Sequence, residues 1–498
     1  MTDAGRAIIA NRQDSVATAL VPLARGERVA GVELIEDIGA GHKFALVPHA
    51  LDDAVFKLGQ PIGVASQIIA PGAHVHTHNL AFASHVPQHV ASYQWTAPHA
   101  PQRAFAGILR DDGRVGTRNY IGILASVNCS ATVVRRIAAY FAAERLAPYP
   151  NVDGVLAFTH LSGCGMARNG AAFANLQATI SGYARHPNFA AVLLVGLGCE
   201  VNQIDDLVKC AGGAGRIATL NIQDIGGTAA AIEAGIAVVE KMLAAANVAA
   251  RTPVPASALT IGLQCGASDG YSALTANPVL GALSDLVVAA GGKVILSETP
   301  EIYGAETILL RRANTPAVAD ALRRRISWWE DYAAREGGLD NNPSPGNKAG
   351  GITTILEKSL GAIAKAGGSP LQAVVDYARP VNAAGLTFMD TPGYDPCSAT
   401  GQIAGGANII LFTTGRGSTF GSKPAPTFKL ASNPGVMNSM ADDMDFDCSG
   451  VLAGQPLESI AQSLFDAVLD FAGGKKSRSE LADMGDYEFV PWLPGSVF

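Results

Sequence analysis

Residues 120–146 read YIGILASVNCSATVVRRIAAYFAAERL, a short apolar run followed by a polar turn and then a helix-like stretch. The same order recurs later, where strand-like runs at 191–198 (AVLLVGLG) and 216–223 (RIATLNIQ) stand before further polar turns and helical segments. Another copy begins with ALTIGLQ at 258–264. Strand-like runs that alternate with helices are typical of a mainly parallel sheet covered by helices. This part of the chain therefore predicts Rossmann-like α/β architecture.

The N-terminal part of the chain has a different pattern. Short apolar runs such as LVPLARGERV (20–29) and GHKFALVPHA (41–50) are separated by Pro and Gly, which favours a small β-rich domain. A stretch rich in Pro, His and Ala then reads as a linker. The predicted organisation is a β-rich domain, a linker and two α/β domains, at residues 1–92, 93–105, 106–250 and 251–498.

Composition narrows the class of protein. The chain has 498 residues, is 48% hydrophobic and 16% charged, and carries a net charge of −7. Large buried cores are therefore expected, and an acidic balance argues against a nucleic-acid surface. No apolar run is long enough for a membrane span, and the N-terminus lacks a signal-peptide pattern. The seven cysteines are widely spread without a CxxC pair, so we expect reduced thiols in a cytoplasmic protein.

Three histidines alternate along one predicted strand, at His74, His76 and His78. Alternation places all three imidazoles on one face, where they could bind a divalent metal. Alternate Cα atoms of a strand lie roughly 6.6 Å apart, so two ligands are expected rather than three. We prefer His76 and His78, and the alternative is an exposed histidine-rich loop.

Polar residues follow most of the predicted strands of the α/β region, where open α/β sheets bind their ligands. Four of these positions are cysteines, for which the alternative is a small residue tolerated at a tight turn. Their spacing lacks the local repeat of an iron–sulfur motif and argues against a cluster. Others are carboxylates that could act as a base or metal ligand, or could cap helices. The residues are Cys129, Cys164, Cys199, Cys265, Glu200, Asp269, Glu298 and Asp390.

Two glycine-rich segments carry a cation each. NPSPGNKAGG (342–351) contains Lys348 and is predicted to be irregular, and TTGRGS (413–418) contains Arg416. Either cation could hold a substrate carboxylate, Arg416 by a bidentate contact. The alternative is a structural loop whose cation is solvated.

Several long segments together resemble the altronate/galactarate dehydratase family, and the N-terminal part resembles the SAF domain that opens its full-length members. The segments are RDDGRVGTRNYIGILASVNCSA (110–131), LVGLGCEVNQ (194–203), LQCGASDGYSALTANPVLG (263–281), NPSPGNKAGGITTILEKSLG (342–361) and FTTGRGS (412–418).

The resemblance implies a hydro-lyase that removes water from a sugar acid and depends on a divalent metal, most often Fe²⁺, with Mn²⁺ or Mg²⁺ as options. An aldonate such as D-altronate is the expected substrate. The alternatives are galactarate, carbon–sulfur cleavage of sulfolactate, and a non-catalytic sugar-acid sensor. We expect a homo-oligomer, most simply a dimer, without nucleic-acid or membrane partners.

The roles that we expect on this basis fall into three sets. The metal ligands are His76 and His78 with Glu200 or Glu298, and the candidate bases are Lys348, Glu298 and His160. Lys348 and Arg416 would hold the substrate carboxylate. The other substrate contacts, to hydroxyls or as pocket lining, are Asn128, Ser268, Asp269, Asn277, Cys164 and Cys265. The two cysteines could instead ligate the metal if it is iron.

Overall fold

The computed structural model describes residues 2–3, 5–83, 93–100, 102–213, 215–338 and 342–494. The predicted end of the first domain at residue 92 lies outside these residues. In this part of the chain, no helix combines the length and the apolar character that crossing a bilayer requires.

The N-terminal domain consists of short antiparallel strands, which confirms the prediction of a β-rich unit. The strands are β1 (Thr2–Asp3), β2 (Ala7–Ile8), β3 (Val16–Ala19), β4 (Arg28–Val29), β5 (Val32–Glu33), β6 (Lys43–Ala45), β7 (Ala54–Lys57), β8 (Gln60–Ala65), β9 (His74–Val75) and β10 (Leu80–Ala81). The described strands form sheets of order β1-β2-β3-β6-β9, β10-β8-β7 and β4-β5. All side chains of β3 and β6 are buried, including that of Lys43.

The second domain has a parallel sheet of order β14-β13-β15-β16. Its elements are β11 (Ala104–Leu109), β12 (Val115–Gly116), β13 (Tyr120–Ala125), α1 (Ala131–Tyr140), α2 (Ala143–Leu146), β14 (Gly154–Phe158), α3 (Ala171–Ala184), β15 (Phe189–Gly196), α4 (Ile204–Cys210), β16 (Ile217–Asn221), α5 (Ile222–Ile225) and α6 (Thr228–Ala246). Every residue of β13 is buried, as expected for a central strand between two helical layers. The predicted parallel sheet is confirmed.

The third domain is organised around a longer parallel sheet. Its elements are β17 (Thr252–Pro255), β18 (Thr260–Gly266), α7 (Ala276–Ala289), β19 (Lys293–Leu296), α8 (Thr307–Leu310), α9 (Pro316–Glu336), α10 (Pro345–Ala349), α11 (Ile355–Ala364), β20 (Leu371–Val375), β21 (Gly385–Met389), α12 (Asp395–Ala404), β22 (Ile409–Thr414), β23 (Thr427–Ala431), α13 (Pro434–Ser439), β24 (Phe446–Asp447), α14 (Leu457–Ala472) and α15 (Arg478–Leu481). In the described residues the strand order is β20-β21-β19-β18-β22-β23-β24.

Two expectations about regular structure were wrong. The strand predicted to carry His74, His76 and His78 ends at Val75, and His76 and His78 lie in the bend and turn that follow.

Residues 345–349 form the short helix α10, although their segment was predicted to be irregular. Ser344 accepts a hydrogen bond from the Asn347 backbone, and the Asn347 side chain in turn accepts one from the Ser344 backbone. With Pro345 in the first turn, this capping box starts a helix despite the many Gly and Pro residues.

The N-terminal domain docks on the carboxyl edge of the third domain's sheet. The backbones touch so closely that a Cβ on Gly270 or Gly351 would overlap the carbonyl oxygen of Gly41. Beside this contact, Lys43 and Lys57 reach into the third domain and pair with Glu357. The β-rich domain therefore covers the sheet edge at which the α/β fold places its ligands.

Candidate functional site

A cleft of about 460 Å³ opens at the carboxyl ends of β18, β19 and β21. Its walls come from the loop after β18, the turn after β19, α11 and the start of α12. The side chains that give it chemical character are Cys265, Ser268, Glu301, Lys358 and Asp395.

A larger cavity of about 570 Å³ lies between the second and third domains, near the opposite ends of the strands. It presents Arg114, Arg185 and Lys293. None of the described residues that line it is acidic, and both ring nitrogens of its histidine, His186, are engaged by backbone groups. Because removing a proton from carbon needs a base beside the substrate, we place the candidate site in the cleft.

Two ammonium groups of α11 and its C-terminal end enter the cleft region. The Lys358 ammonium lies 2.6 Å from a carboxylate oxygen of Glu301. The Lys365 ammonium lies 2.9 Å from the Cys265 sulfur and 3.8 Å from Glu298. Burial lowers the pKa of Lys358, but the Glu301 carboxylate outweighs it and raises that pKa overall. Both lysines therefore stay charged at neutral pH.

Glu298 is the most constrained carboxylate of the group. It is 1% exposed and its backbone has φ of 70°, a left-handed conformation that a non-glycine residue adopts only under strain. Neither carboxylate oxygen has a hydrogen-bond partner among the described residues. Burial, and then the charge of Glu301, raise its pKa well above the usual value for a glutamate. A proton on the carboxylate, or a cation bound to it, would neutralise the buried negative charge.

Asp395 lies in the first turn of α12 and lines the same cleft. Burial, and then the neighbouring Glu301, raise its pKa to about 7. Three carboxylates, those of Glu298, Glu301 and Asp395, thus face the two ammonium groups. Burial also raises the pKa of the Cys265 thiol to about 12, so this thiol is neutral.

Cys265, Glu298 and Glu301 form a group suited to a metal ion. One ligand atom from each lies within 4.8 Å of the others, and all three side chains are buried. The unpartnered oxygens of Glu298 fit a cation, and the mixed sulfur and oxygen donors suit iron better than magnesium.

Three other predicted residues lie at the same sheet edge. Ser268 lines the cleft. Asp269 accepts hydrogen bonds from Ser272 and, at 2.8 Å, from the Asn433 amide. The Thr413 hydroxyl donates to Asn277 Oδ1 at 2.6 Å. The polar groups of Asp269 and Asn277 are therefore engaged within the protein, and their substrate roles stay predictions.

Four histidines gather where the N-terminal domain meets α10. The rings of His42, His74 and His76 lie 5.0–5.2 Å apart, and His78 lies 5.7 Å from His74. Nδ1 of His42 and Nε2 of His74 are 3.0 Å apart. Burial, and then the neighbouring His42, lower the pKa of His74 to about 3, so it is neutral, the form that binds metals.

Lys348 and Arg416, the two cations predicted to bind the substrate carboxylate, both lie at α10. Lys348 is part of this helix and Arg416 contacts it. His76 Nε2 lies 2.9 Å from the backbone oxygen of Lys348, and Arg416 donates to the Gly346 carbonyl at 2.9 Å. Lys348 is half-buried, and its ammonium makes no hydrogen bond to any residue that the structure describes. The structure therefore brings the predicted His76, Lys348 and Arg416 together around α10.

The remaining predicted residues lie at the edge of the second domain's sheet. His160 Nε2 is 3.1 Å from the Ala125 carbonyl, and burial lowers its pKa to about 4. Asn128 donates to the His160 carbonyl, and Cys164 is exposed in the loop that follows. Glu200 accepts from Ser126 and the Gly198 amide. These four lie at a different sheet from Glu298 and in a different domain from His76, and their roles stay predictions.

Sequence reasoning overlooked several residues of the site. Lys358 and Lys365 are seven positions apart on α11 and its C-terminal end, a spacing that places them on one helix face. Glu301 stands three residues after the predicted Glu298, and Asp395 opens the helix that follows β21. His42 precedes β6, within the GHKFAL segment.

Comparisons with known proteins cover almost the whole chain. Three family models match in order: the altronate/galactarate dehydratase SAF domain at residues 5–83, the second domain of D-galactarate dehydratase/altronate hydrolase at 107–247, and the C-terminal domain of D-galactarate/altronate dehydratase at 256–497. Altronate dehydratase from Bacillus subtilis (strain 168) is 35% identical over 492 residues, covering 95% of this chain and 96% of that protein.

Two Escherichia coli (strain K12) proteins are similarly related. Altronate dehydratase is 36% identical, covering 94% of this chain and 96% of that protein. Galactarate dehydratase (L-threo-forming) is 35% identical, covering 90% and 88%. The resemblance seen in the sequence is confirmed, and the chain belongs to the altronate/galactarate dehydratase family.

Proposed function

We propose that this protein is a metal-dependent sugar-acid dehydratase that converts an aldonate such as D-altronate to a 2-keto-3-deoxy sugar acid and water. The observation that carries the proposal is the cleft lined by Glu301, Asp395 and Lys358, behind which the buried pair of Glu298 and Lys365 lies. The names of two relatives support altronate, and the name of a third keeps galactarate as the second candidate substrate.

The reaction breaks two bonds of the substrate. A base takes the proton from C2, negative charge develops on the substrate carboxylate, and the C3 hydroxyl leaves with a proton as water. The resulting enol becomes the 2-keto acid when C3 gains a proton and the C2 hydroxyl loses one. The proton transfers need a side chain that can take up and release a proton near neutral pH. The negative charge that develops on the substrate carboxylate needs a fixed positive charge beside it.

The cleft contains both kinds of group. We assign the proton exchange at C2 to Asp395, whose pKa of about 7 suits a base that must also give the proton back. Lys348, Glu298 and His160 remain the alternatives from the sequence. The ammonium of Lys358 would bind the substrate carboxylate and stabilise the charge that develops on it.

We propose Cys265, Glu298 and Glu301 as the residues that would hold a divalent ion, with Fe²⁺ the first candidate. When bound, such an ion would stabilise negative charge on substrate oxygens. The histidine group that contains His76 and His78 is the second candidate, supported by the close approach of its rings and by burial, which lowers the pKa of His74 and of His76.

Removal of metal is expected to abolish turnover. Protein treated with EDTA and desalted would be assayed on D-altronate and galactarate, with semicarbazide detecting the 2-keto-3-deoxy product. Added Fe²⁺ should restore activity, and the substrate with the higher kcat/KM identifies the natural class. Full turnover after exhaustive chelation would refute the metal dependence, and no product from any aldonate or aldarate would refute the dehydratase proposal.

Arg416→Lys tests the loop beside α10. The guanidinium is exposed and bonds one carbonyl, so the variant should keep its thermal midpoint. A lysine replaces a bidentate fork by a point charge, and KM should rise by about tenfold or more if Arg416 holds the substrate carboxylate. Unchanged kinetics would remove Arg416 from the site.

A further inference from the structure

Three cysteines lie at the carboxyl ends of three adjacent parallel strands. Cys129 follows β13, Cys164 follows β14 and Cys199 follows β15. β13 is the central strand of the three and pairs with both of the others. The three cysteines follow one another at intervals of 35 residues in the sequence. The fold brings them to one edge of the sheet.

Hydrogen bonds hold the three cysteine loops together. The Asn128 amide donates to the Ser162 carbonyl at 2.8 Å, which joins the Cys129 loop to the Cys164 loop. The Asn202 amide donates to the Gly163 carbonyl at 3.1 Å, which joins the Cys199 loop to the Cys164 loop. The Asn202 side chain also donates to Ser126 at 2.9 Å. The loops form one unit, in which each backbone is held by a neighbour.

The thiols of this unit are all exposed, whereas those of Cys265, Cys397 and Cys448 are buried. Free cysteine is among the most buried residue types, so three exposed thiols at one edge are unusual for packing residues. Their exposure leaves all three thiols accessible to iron from solution, and their shared sheet edge places them in neighbouring loops.

Glycines in left-handed conformations flank two of the cysteines. Gly163 and Gly165 surround Cys164 with φ of 103° and 65°, and Gly198 precedes Cys199 with φ of 124°. A Cβ on Gly163 would lie 2.5 Å from the Ser126 carbonyl oxygen, so glycine is needed there. Glycine also leaves backbone amides accessible to an anionic ligand.

We propose that Cys129, Cys164 and Cys199 bind an iron–sulfur cluster of the [4Fe–4S] type. Each thiol releases its proton and bonds one iron, which leaves the fourth iron without a protein thiolate and open to an oxygen ligand. Among the described residues, Cys265, Glu298 and Glu301 are the group whose ligand atoms all lie within 4.8 Å of one another. The three cysteines do not form such a group, so their sulfurs are spaced more widely than a single ion needs. Sequence spacing argues against a cluster, but the strand order places the three cysteine loops side by side and hydrogen bonds join them.

The test measures the cluster itself, so it does not depend on the proposed function. The full-length protein would be reconstituted without oxygen, using ferric iron, sulfide and dithiothreitol, whose thiols reduce part of the iron to the ferrous state, and then desalted. Acid-labile sulfide should reach about four per chain, and iron about four in addition to an ion held by Cys265, Glu298 and Glu301. The reduced protein should give the electron paramagnetic resonance signal of a cluster.

Cys164→Ala should lose most of the bound sulfide, and the variant with all three cysteines changed should lose all of it. The matched control is Cys210→Ala, because Cys210 is exposed in the same domain but lies at the end of α4. It should bind as much iron and sulfide as the unchanged protein. Circular dichroism would check that each variant is folded.

Two results would overturn the proposal. One is iron uptake without sulfide, which means mononuclear binding only. The other is equal sulfide content in the triple variant and the unchanged protein, which places any cluster elsewhere.

Discussion

Lys358→Met is expected to lower kcat by about 10²–10³-fold, the usual effect of removing one preorganised donor from an active site. The ammonium lies in the cleft, its side chain is 13% exposed, and it is held 2.6 Å from Glu301. A desolvated positive charge stabilises a developing anion far more than a solvated one does. Methionine keeps the length and apolar stem of lysine, so the variant removes the charge with little change in packing.

Steady-state kinetics on the best aldonate, together with a thermal melt, would measure this effect. The control is Lys209→Met, which removes an ammonium that is 76% exposed on α4. It should leave kcat and the thermal midpoint unchanged. If Lys358→Met kept kcat within twofold of the unchanged protein, the cleft would not be the place of the chemistry.

Glu357→Gln is expected to lower the free energy of unfolding by about 3–5 kcal/mol, because it leaves two buried ammonium groups without their anion. The carboxylate oxygens lie 2.9 Å from Lys43 and 3.0 Å from Lys57, and all three side chains are at most 3% exposed. These ion pairs join the N-terminal domain to the third domain. The variant should therefore loosen that contact first.

The contribution of Glu357 also depends on pH. Burial alone would raise its pKa, but Lys43 and Lys57 outweigh burial and hold that pKa at about 2, below the usual 4.5. A carboxyl with a lowered pKa stabilises the fold above its ordinary pKa, and this stabilisation is lost as pH falls from 4.5 towards 2. The shift corresponds to about 3 kcal/mol.

Chemical denaturation near neutral pH and at acidic pH would measure both effects. The difference between Glu357→Gln and the unchanged protein should shrink as pH falls through this range. Glu240→Gln is the control, since Glu240 is exposed on α6 and its replacement should cost less than about 0.5 kcal/mol. A variant as stable as the unchanged protein would contradict the role of this ion pair.

The fold could be predicted from the sequence where local pattern decides structure. The run YIGILA at 120–125 coincides with β13, because a central parallel strand is apolar on both faces. Helix α10 was missed, since its start depends on hydrogen bonds between Ser344 and Asn347 that outweigh the low helix propensity of the segment.

The site was predictable only in part, for a geometric reason. Residues at strand ends, such as Glu298 and Cys265, are visible in the sequence because each follows an apolar run. Lys358 and Lys365 lie within and just after an ordinary amphipathic helix, and only the packing of α11 against residues 299–302 turns one face towards the cleft. Which strand ends meet depends on strand order, and a single sequence does not contain that information.

The pairing of β11 with β17, in which Ala104 lies opposite Pro255, has a consequence for the ancestry and engineering of this chain. The polypeptide enters and leaves the second domain at adjacent points, and α3 of that domain also packs on α12 in a shared buried core. An exchange between homologues at these two neighbouring junctions would therefore have to keep the apolar face of α3 that contacts α12. Chimaeras joined at this ribbon should fold where chimaeras joined elsewhere in either sheet would not.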